Sequence, residues 1–194
     1  MAMTDRTSNE SDSRSDTADN PDAGNTDNPD AGNADNPDAG NAEGDRPEID
    51  IAVVGDERLS LTRSDFETFP TVEFEYTIVC DSGSRTTATW TGVSLSDLLD
   101  RAGMPPETTH LRVTSTDGYT VCVDIASALN SLVAYARDHE SLGAVEQYAT
   151  RFLGPGIDGS RTVKGVARVE PITLASGTDP TERESMSLDD PSYG

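Results

Sequence analysis

Few side chains in this 194-residue chain are suited to metal or redox chemistry, and the cysteines come first among them. The chain has two cysteines, Cys80 and Cys122, and two histidines, His110 and His139. Two cysteines do not make a disulfide framework in a chain of this length. The histidines lie too far in sequence from a second ligand to indicate a histidine-based metal site. Cys80 follows an apolar run, where it is either a soft thiolate ligand or a small buried residue, the commoner role of a lone cysteine. Cys122 lies inside a predicted strand and is expected in the core.

A second stretch, residues 154–164, has the composition of an anion-binding loop. Glycines such as Gly156 and Gly159 permit close approach of the backbone to a ligand, and Arg161 and Lys164 follow them with positive charge. Lys164 is the only lysine among the fourteen basic residues, which favours a functional role for it. The alternative is that both are ordinary solvated charges on a turn.

The strand before Cys80 is predicted from strict alternation, with apolar residues at Val72, Phe74, Tyr76 and Ile78. Cys80 has the same parity, so its side chain is expected on the buried side. A turn over residues 81–84 and a return strand over residues 85–90 follow. Trp90, the only tryptophan, ends that strand as a packing residue rather than a catalyst.

A capped helix should follow this hairpin. Ser94, with Asp97 three residues later, predicts its start, and Gly103 its end, so the helix covers Leu95–Ala102. The other predicted elements are a hairpin from residues 49–54 and 59–61, a short helix capped by Ser64 and Glu67, strands at 111–114, 119–123, 132–135 and 163–174, and a short helix at 125–129. Residues 139–150 show no clear period.

Composition limits the partners. The net charge is −22, from 36 acidic against 14 basic residues. An acidic surface almost without lysine resembles that of proteins from extreme halophiles, because molar salt shortens the Debye length to about 3 Å and screens self-repulsion. It disfavours nucleic acid and anionic membranes as partners. No apolar run approaches the length of a membrane span and no signal sequence is recognisable, so we expect a cytoplasmic protein without membrane insertion.

Three regions are predicted along the chain. Residues 1–48 form an acidic tail with three tandem octapeptides, DNPDAGN followed by Thr or Ala, over residues 19–42. The tail lacks apolar residues to offset the entropy of ordering and is expected to be disordered. A calcium-binding repeat is the less favoured alternative, since no bidentate Glu recurs at a fixed place. Residues 49–176 form the folded domain, and residues 177–194 form a polar C-terminal tail that we expect to be frayed.

Four segments together resemble a known family. They are Cys80, Trp90-x-Gly92-Val93 before the helix, Asp117-Gly118-Tyr119, and Gly159-Ser160-Arg161-Thr162-Val163-Lys164. Their order and rough spacing are similar to those of the molybdopterin-binding domain of sulfite oxidases and related oxidoreductases, over about residues 59–172. The resemblance implies an α+β fold with a mixed, partly barrel-like sheet and short outer helices.

The resemblance also implies the site. Cys80 would be the protein thiolate on molybdenum, which the dithiolene sulfurs of molybdopterin also hold. Tyr119 corresponds to a catalytic tyrosine beside the metal, although it would equally suit a half-buried strand aromatic. The cofactor phosphate would be bound by Gly156, Gly159, Ser160, Arg161 and Lys164.

Two departures from the family pattern shape the expected function. A histidine-containing segment that helps bind the pterin in larger members is replaced here by the acidic tail. Asp81 directly follows Cys80, and a carboxylate there disfavours a dianionic substrate. We therefore expect oxygen-atom or two-electron transfer to a small substrate other than sulfite. Electrons would leave through a separate partner, because the chain lacks haem and iron–sulfur motifs.

Two alternatives remain open at this point. One is a degenerate binding module that keeps the fold without the catalysis, and the truncated cofactor cradle favours it. The other is an acidic interaction protein acting through the octapeptides, which only the composition supports.

Overall fold

The computed structural model describes residues 46–80 and 82–185. The octapeptide repeats, Asp81 and residues 186–194 lie outside the described residues. The division into residues 1–48, 49–176 and 177–194 therefore stays a prediction.

Short strands and shorter helices alternate along the described chain. The strands are β1 (Asp50–Val54), β2 (Arg58–Thr62), β3 (Thr71–Val79), β4 (Arg85–Ser94), β5 (His110–Ser115), β6 (Thr120–Asp124), β7 (Leu132–Arg137), β8 (Glu140–Ser141), β9 (Arg151–Leu153) and β10 (Val166–Ile172). The α-helices are α1 (Arg63–Phe66), α2 (Leu95–Ala102), α3 (Ile125–Leu129) and α4 (Leu142–Val145), and 3-10 helices cover Gly159–Arg161 and Pro180–Arg183. No helix within the described residues is long and apolar enough to cross a bilayer.

The strands form two sheets. The first has the order β2-β1-β10-β5-β6, in which only β1 and β10 run parallel. The second has the antiparallel order β3-β4-β7-β8, and β9 also pairs with β7. The predicted α+β class with a mixed sheet and short helices is confirmed. Within the described residues, neither sheet closes into a barrel.

Helix α2 has the predicted bounds because its local signals agree. Gly103 ends it at φ 71°, a conformation that costs glycine little, and its N–H bonds to the carbonyl of Asp100. Leu95, Leu98 and Leu99 are fully buried in the larger core cluster, which also includes residues of the first sheet. At the helix start, however, the Ser94 hydroxyl pairs with that of Ser96, so the predicted side-chain cap is absent.

Trp90 organises a smaller second core. It is fully buried and belongs to one cluster with the buried residues Ile78, Ala88, Leu132, Leu142 and Leu153. Its Nε1 donates to the carbonyl of Tyr76 at 3.3 Å, which ties β4 to β3 through the side chain. Trp90 therefore packs as predicted.

Several predicted boundaries are wrong, for local reasons. Helix α1 begins after Thr62 rather than at Ser64, because the Asp65 carboxylate accepts hydrogen bonds from the Thr62 N–H at 2.8 Å and from its hydroxyl at 2.7 Å. The last strand is shorter than predicted, since β10 covers Val166–Ile172. The stretch without a clear period contains β8 and α4, and β9 follows it.

Asp124 gives a stability prediction, because its carboxylate caps α3 by accepting from the Ser127 N–H at 2.9 Å. Asp124→Ala should lower the free energy of unfolding by about 1 kcal/mol, and Asp124→Asn, which keeps an acceptor, by less. The hydrogen bonds from Ser127 hold the pKa of Asp124 below its ordinary value.

The low pKa gives that contribution a pH dependence. A carboxyl group whose pKa is lowered in the folded state stabilises the protein fully at pH values above its pKa in the unfolded state. This stabilisation is lost as the pH falls through its pKa in the folded state. Urea unfolding at pH 7 and pH 3 should thus show a smaller difference between wild type and Asp124→Ala at pH 3. An equal difference at both pH values would contradict this.

Candidate functional site

Cys80 lies directly after β3 and opens the turn to β4. Its N–H donates to the Ser84 carbonyl at 2.9 Å, and its carbonyl accepts from the Gly83 N–H at 2.8 Å. The thiol side chain is exposed, so the expectation of a buried Cys80 is wrong. The reason is that β3 ends at Val79, so the alternation of its faces stops before Cys80. An exposed thiol can meet a ligand, whereas a core cysteine cannot.

The glycine-rich loop, residues 154–164, packs against this turn through Gly159. A Cβ added to Gly159 would overlap the Val79 carbonyl oxygen, and it would lie 2.7 Å from the Val79 carbonyl carbon and 3.2 Å from the Cys80 Cα. Only glycine lets the two backbones approach so closely. The hydroxyl of Tyr76, a residue of β3, donates a second contact between strand and loop, a hydrogen bond to the Ile157 carbonyl at 3.1 Å. The two stretches singled out in the sequence are therefore in contact.

Tyr119 joins the same loop from the first sheet. It follows the turn after β5, where the Asp117 side chain accepts from its backbone N–H at 3.0 Å. Its half-buried side chain donates from the hydroxyl to the carbonyl of Ser160, the neighbour of Gly159. The structure thus brings Cys80, Tyr119, Gly159 and Ser160 together through adjacent backbone positions.

Arg161 is held by two carboxylates. Its Nε and Nη2 donate to the two oxygens of Glu184 at 3.0 and 3.4 Å, and Nη1 donates to Asp158 at 3.4 Å. The hydrogen bond and charge of Glu184 raise the pKa of Arg161 above its ordinary value. Two negative charges therefore face this one guanidinium, which the sequence had suggested as part of an anion site.

Lys164 and Gly156 lie at other points of the loop. The Lys164 backbone bridges to Arg151, and its exposed side chain places Nζ 5.9 Å from the centre of the Tyr148 ring. Gly156 has φ 81° and sits beside α3, where a Cβ would lie 3.0 Å from the Ser127 hydroxyl. Gly156 therefore lies against α3, whereas Gly159 lies against Val79 and Cys80.

Arg151 was missed by the sequence reasoning. It starts β9, donates from Nη2 to the Thr162 hydroxyl at 2.9 Å, and places its guanidinium 5.6 Å from the centre of the Trp90 ring. Its Nε is the one buried side-chain nitrogen or oxygen of the described residues without a hydrogen-bond partner. Leaving such a donor unpaired costs about 1–3 kcal/mol, which an acceptor on a ligand would recover. No periodic pattern marks Arg151 as a site residue. The one signal in the sequence is a basic residue directly before two apolar residues.

These features can be compared with what a pterin-bound molybdenum centre requires. Its metal needs an accessible thiolate, and its phosphate needs close backbone donors and cations. Exposed Cys80, the tight contact at Gly159 and the unpaired Nε of Arg151 fit those needs, whereas Arg161 is already neutralised. The described residues hold no group of three or more His, Cys, Asp and Glu side chains placed for a metal ion.

Comparisons with known proteins identify a family and a similar fold. Residues 39–178 match the family described as oxidoreductase molybdopterin binding domain. The fold is similar to the crystal structure of the sulfane dehydrogenase SoxCD from Paracoccus pantotrophus, with a TM-score of 0.60 and 20% sequence identity over 67% of this chain and 39% of that chain. This chain thus spans about two fifths of the matched chain, and at such identity the likeness shows the fold alone. No curated protein matches the sequence significantly.

The family match extends over most of the chain and includes Cys80, Tyr119 and the glycine-rich loop. The structural match supplies the same fold independently of the sequence profile. This chain therefore belongs to the oxidoreductase molybdopterin binding domain family.

Proposed function

We propose that this domain binds molybdenum–molybdopterin beside the turn that follows β3, with Cys80 as the protein ligand of the metal. The observation that carries the proposal is the contact of Gly159 with Val79 and Cys80, which sets an exposed thiol against a loop rich in glycine and basic residues. A soft metal and an anionic tail on one cofactor require this pairing of a thiolate with a phosphate-binding loop.

The residues divide the binding task by chemistry. The loop backbone at Gly156, Gly159 and Ser160 would donate N–H groups to the cofactor phosphate. Lys164 would supply charge, and Arg161 would do so with the phosphate in place of its present partner Glu184. The unpaired Nε of Arg151 would donate to an acceptor on the cofactor. When bound, the cofactor would supply oxygen-atom or two-electron transfer.

Tyr119 would act next to that centre through its hydroxyl. This hydroxyl now donates to the Ser160 carbonyl, which ties the loop to the first sheet. As a catalytic donor it would exchange this bond for one to a substrate oxygen, without moving away from the loop. The substrate would be a small molecule other than sulfite, because the Asp81 carboxylate follows Cys80 in the sequence.

Electrons would leave to a separate protein, since the sequence has no motif for a second redox centre. SoxCD, which has a similar fold, is a sulfane dehydrogenase, and this supports the idea that the fold serves substrates other than sulfite. We further propose that the protein works in the cytoplasm of a halophile, as its acidic, nearly lysine-free composition suggests.

A second candidate function is a binding module that has kept the fold but lost catalysis. The observation that favours it is the pairing of Arg161 with Glu184 and Asp158, which leaves the loop less positive than phosphate binding needs. This candidate would retain a small ligand without molybdenum.

Metal and pterin analysis separates the two functions. Wild-type protein purified from a halophilic host should contain molybdenum and pterin near one equivalent each, measured by plasma mass spectrometry and by fluorescence of the released pterin. Wild type without either would contradict the proposed function. Pterin without molybdenum would instead support the binding module.

A further inference from the structure

Residues 178–185, here called the strap, follow the last strand and return to the site. They were expected to be part of a frayed polar tail, yet they contain the 3-10 helix Pro180–Arg183, capped by the Asp179 side chain on the Thr181 N–H at 2.9 Å. All but the first residue of the strap lie beyond the family match, which ends at residue 178. The strap therefore lies almost entirely outside the region that matches the family.

The strap pairs with the free edge of the first sheet. Strand β6 is at that edge, and Thr120 exchanges two backbone hydrogen bonds with Ser185, both 2.9 Å long. One step along the same edge, the Cys122 N–H donates to the Glu184 carboxylate at 3.1 Å. A side-chain oxygen thus takes the place that a strand carbonyl would have in a longer ladder.

Glu184 connects this edge to the glycine-rich loop. Its side chain is only 3% exposed, and its two oxygens accept from Arg161 as well as from Cys122. Removing water from a carboxylate is costly, so its burial depends on the paired guanidinium. Arg161 and the strap consequently hold each other in place.

We propose that Glu184 occupies the cofactor's phosphate site on Arg161, and that an arriving phosphate displaces Glu184 and releases the strap from β6. The inference rests on the proposed function, because it assigns Arg161 to a phosphate. It deepens that function by making cofactor entry and strap opening one exchange, in which one anion replaces another on the same guanidinium.

Charge explains why the exchange is needed. With Asp158 and Glu184 both at Arg161, an incoming phosphate meets two like charges and one opposite charge, and its binding is disfavoured. Once Glu184 has left, its carboxylate is solvated and the phosphate keeps Arg161 paired. The half-buried guanidinium is then paired in both states, which is the condition for a two-state exchange.

Cys122 reports on the strap. The residue is 3% exposed, its backbone N–H is bound by Glu184, and burial raises the pKa of its thiol, so its alkylation should be slow. Release of the strap would uncover it. Cys80, exposed already, should react quickly in either state.

The first test measures anion affinity with inorganic pyrophosphate as the probe. Full-length protein from a host that cannot make molybdopterin is titrated by calorimetry at constant ionic strength. Glu184→Gln, which keeps the shape but removes the charge, should bind pyrophosphate at least about tenfold more tightly than wild type, equivalent to about 1.4 kcal/mol. The matched control Glu182→Gln removes an exposed charge from the same 3-10 helix and should bind like wild type. Equal affinity of Glu184→Gln and wild type would overturn the proposal.

The second test needs no variant. Wild type is alkylated with N-ethylmaleimide, with and without saturating pyrophosphate, and peptide mass spectrometry follows each cysteine separately. Pyrophosphate should raise the Cys122 rate at least about fivefold, while potassium chloride of equal ionic strength should not. An unchanged Cys122 rate would overturn the proposal.

The two proposals fail in different ways. Wild type that carries molybdenum and pterin while pyrophosphate leaves Cys122 protected would refute the strap alone. Wild type without either cofactor component, but with the pyrophosphate effects, would refute the proposed function and leave the strap as an anion-gated segment.

Discussion

Cys80→Ser should remove one sulfur from the first coordination shell of molybdenum, as counted by X-ray absorption spectroscopy on the purified protein. A serine oxygen is a hard ligand and a poor replacement for a thiolate on a soft-ligand centre. Pterin content should stay near that of wild type, because the proposed phosphate-binding loop is unchanged. Substrate turnover should fall at least about 100-fold. Loss of a group that only orients a metal ligand typically lowers activity about 10–100-fold, and loss of the ligand itself should cost no less.

The second cysteine supplies the control for that experiment. Cys122 is buried in β6, where its backbone N–H donates to Glu184. Cys122→Ala should keep the wild-type number of molybdenum–sulfur bonds. The assignment of Cys80 would be wrong if Cys80→Ser kept that number, or if Cys122→Ala lost a sulfur instead.

Gly159→Ala should separate the loop from the turn at Cys80. The new methyl group would overlap the carbonyl oxygen and carbon of Val79. Because these are backbone atoms and not the end of a flexible side chain, the backbone of the loop or of the turn would have to move. We expect a loss of about 3 kcal/mol in the free energy of unfolding, at the upper end of the cost of overpacking. Bound pterin should fall with it, because the loop would no longer present its N–H groups beside Cys80.

Gly177→Ala is the matched control for that substitution. Gly177 has φ 86° and no atom within 4 Å of an added Cβ, so alanine meets only the backbone cost of about 1 kcal/mol. Urea unfolding and pterin content should therefore distinguish the two variants. Equal stability of Gly159→Ala and wild type would show that the loop and the turn do not depend on this contact.

Sequence reasoning succeeded where signals agree over a short range. Helix α2 was predicted to the residue because Ser94, three leucines and Gly103 all indicate the same bounds. The hairpins of β1 with β2 and of β3 with β4 were predicted because alternating apolar residues flank clear turns. The ordered motifs of Cys80, Tyr119 and the loop also predicted the family, which the profile match confirms.

The errors arise where tertiary context decides. Cys80 has the parity of a buried residue, yet it is exposed because β3 ends one residue before it. Arg151 is a candidate only because its Nε is buried and unpaired, a property that no pattern of neighbours reveals. Glu184 lies in a polar stretch without apolar residues, and its carboxylate is bound by Arg161 and Cys122, which are 23 and 62 positions away in sequence.

The parallel pairing of β1 with β10 links the site to the folding of the chain. β10 lies in the middle of the first sheet, between β1 and β5, although it is the last strand of the described chain. The first sheet can be completed only after the chain has been synthesised through Ile172. Pairing of strands that are far apart in sequence, as β1 and β10 are, slows folding. The glycine-rich loop leads directly into β10, and the Gly165 carbonyl accepts from the Thr116 N–H at 2.8 Å beside the end of β5. The loop that contacts Cys80 is therefore positioned by the same late step that completes the sheet, so an incompletely folded chain would lack the prearranged loop that we propose for cofactor binding.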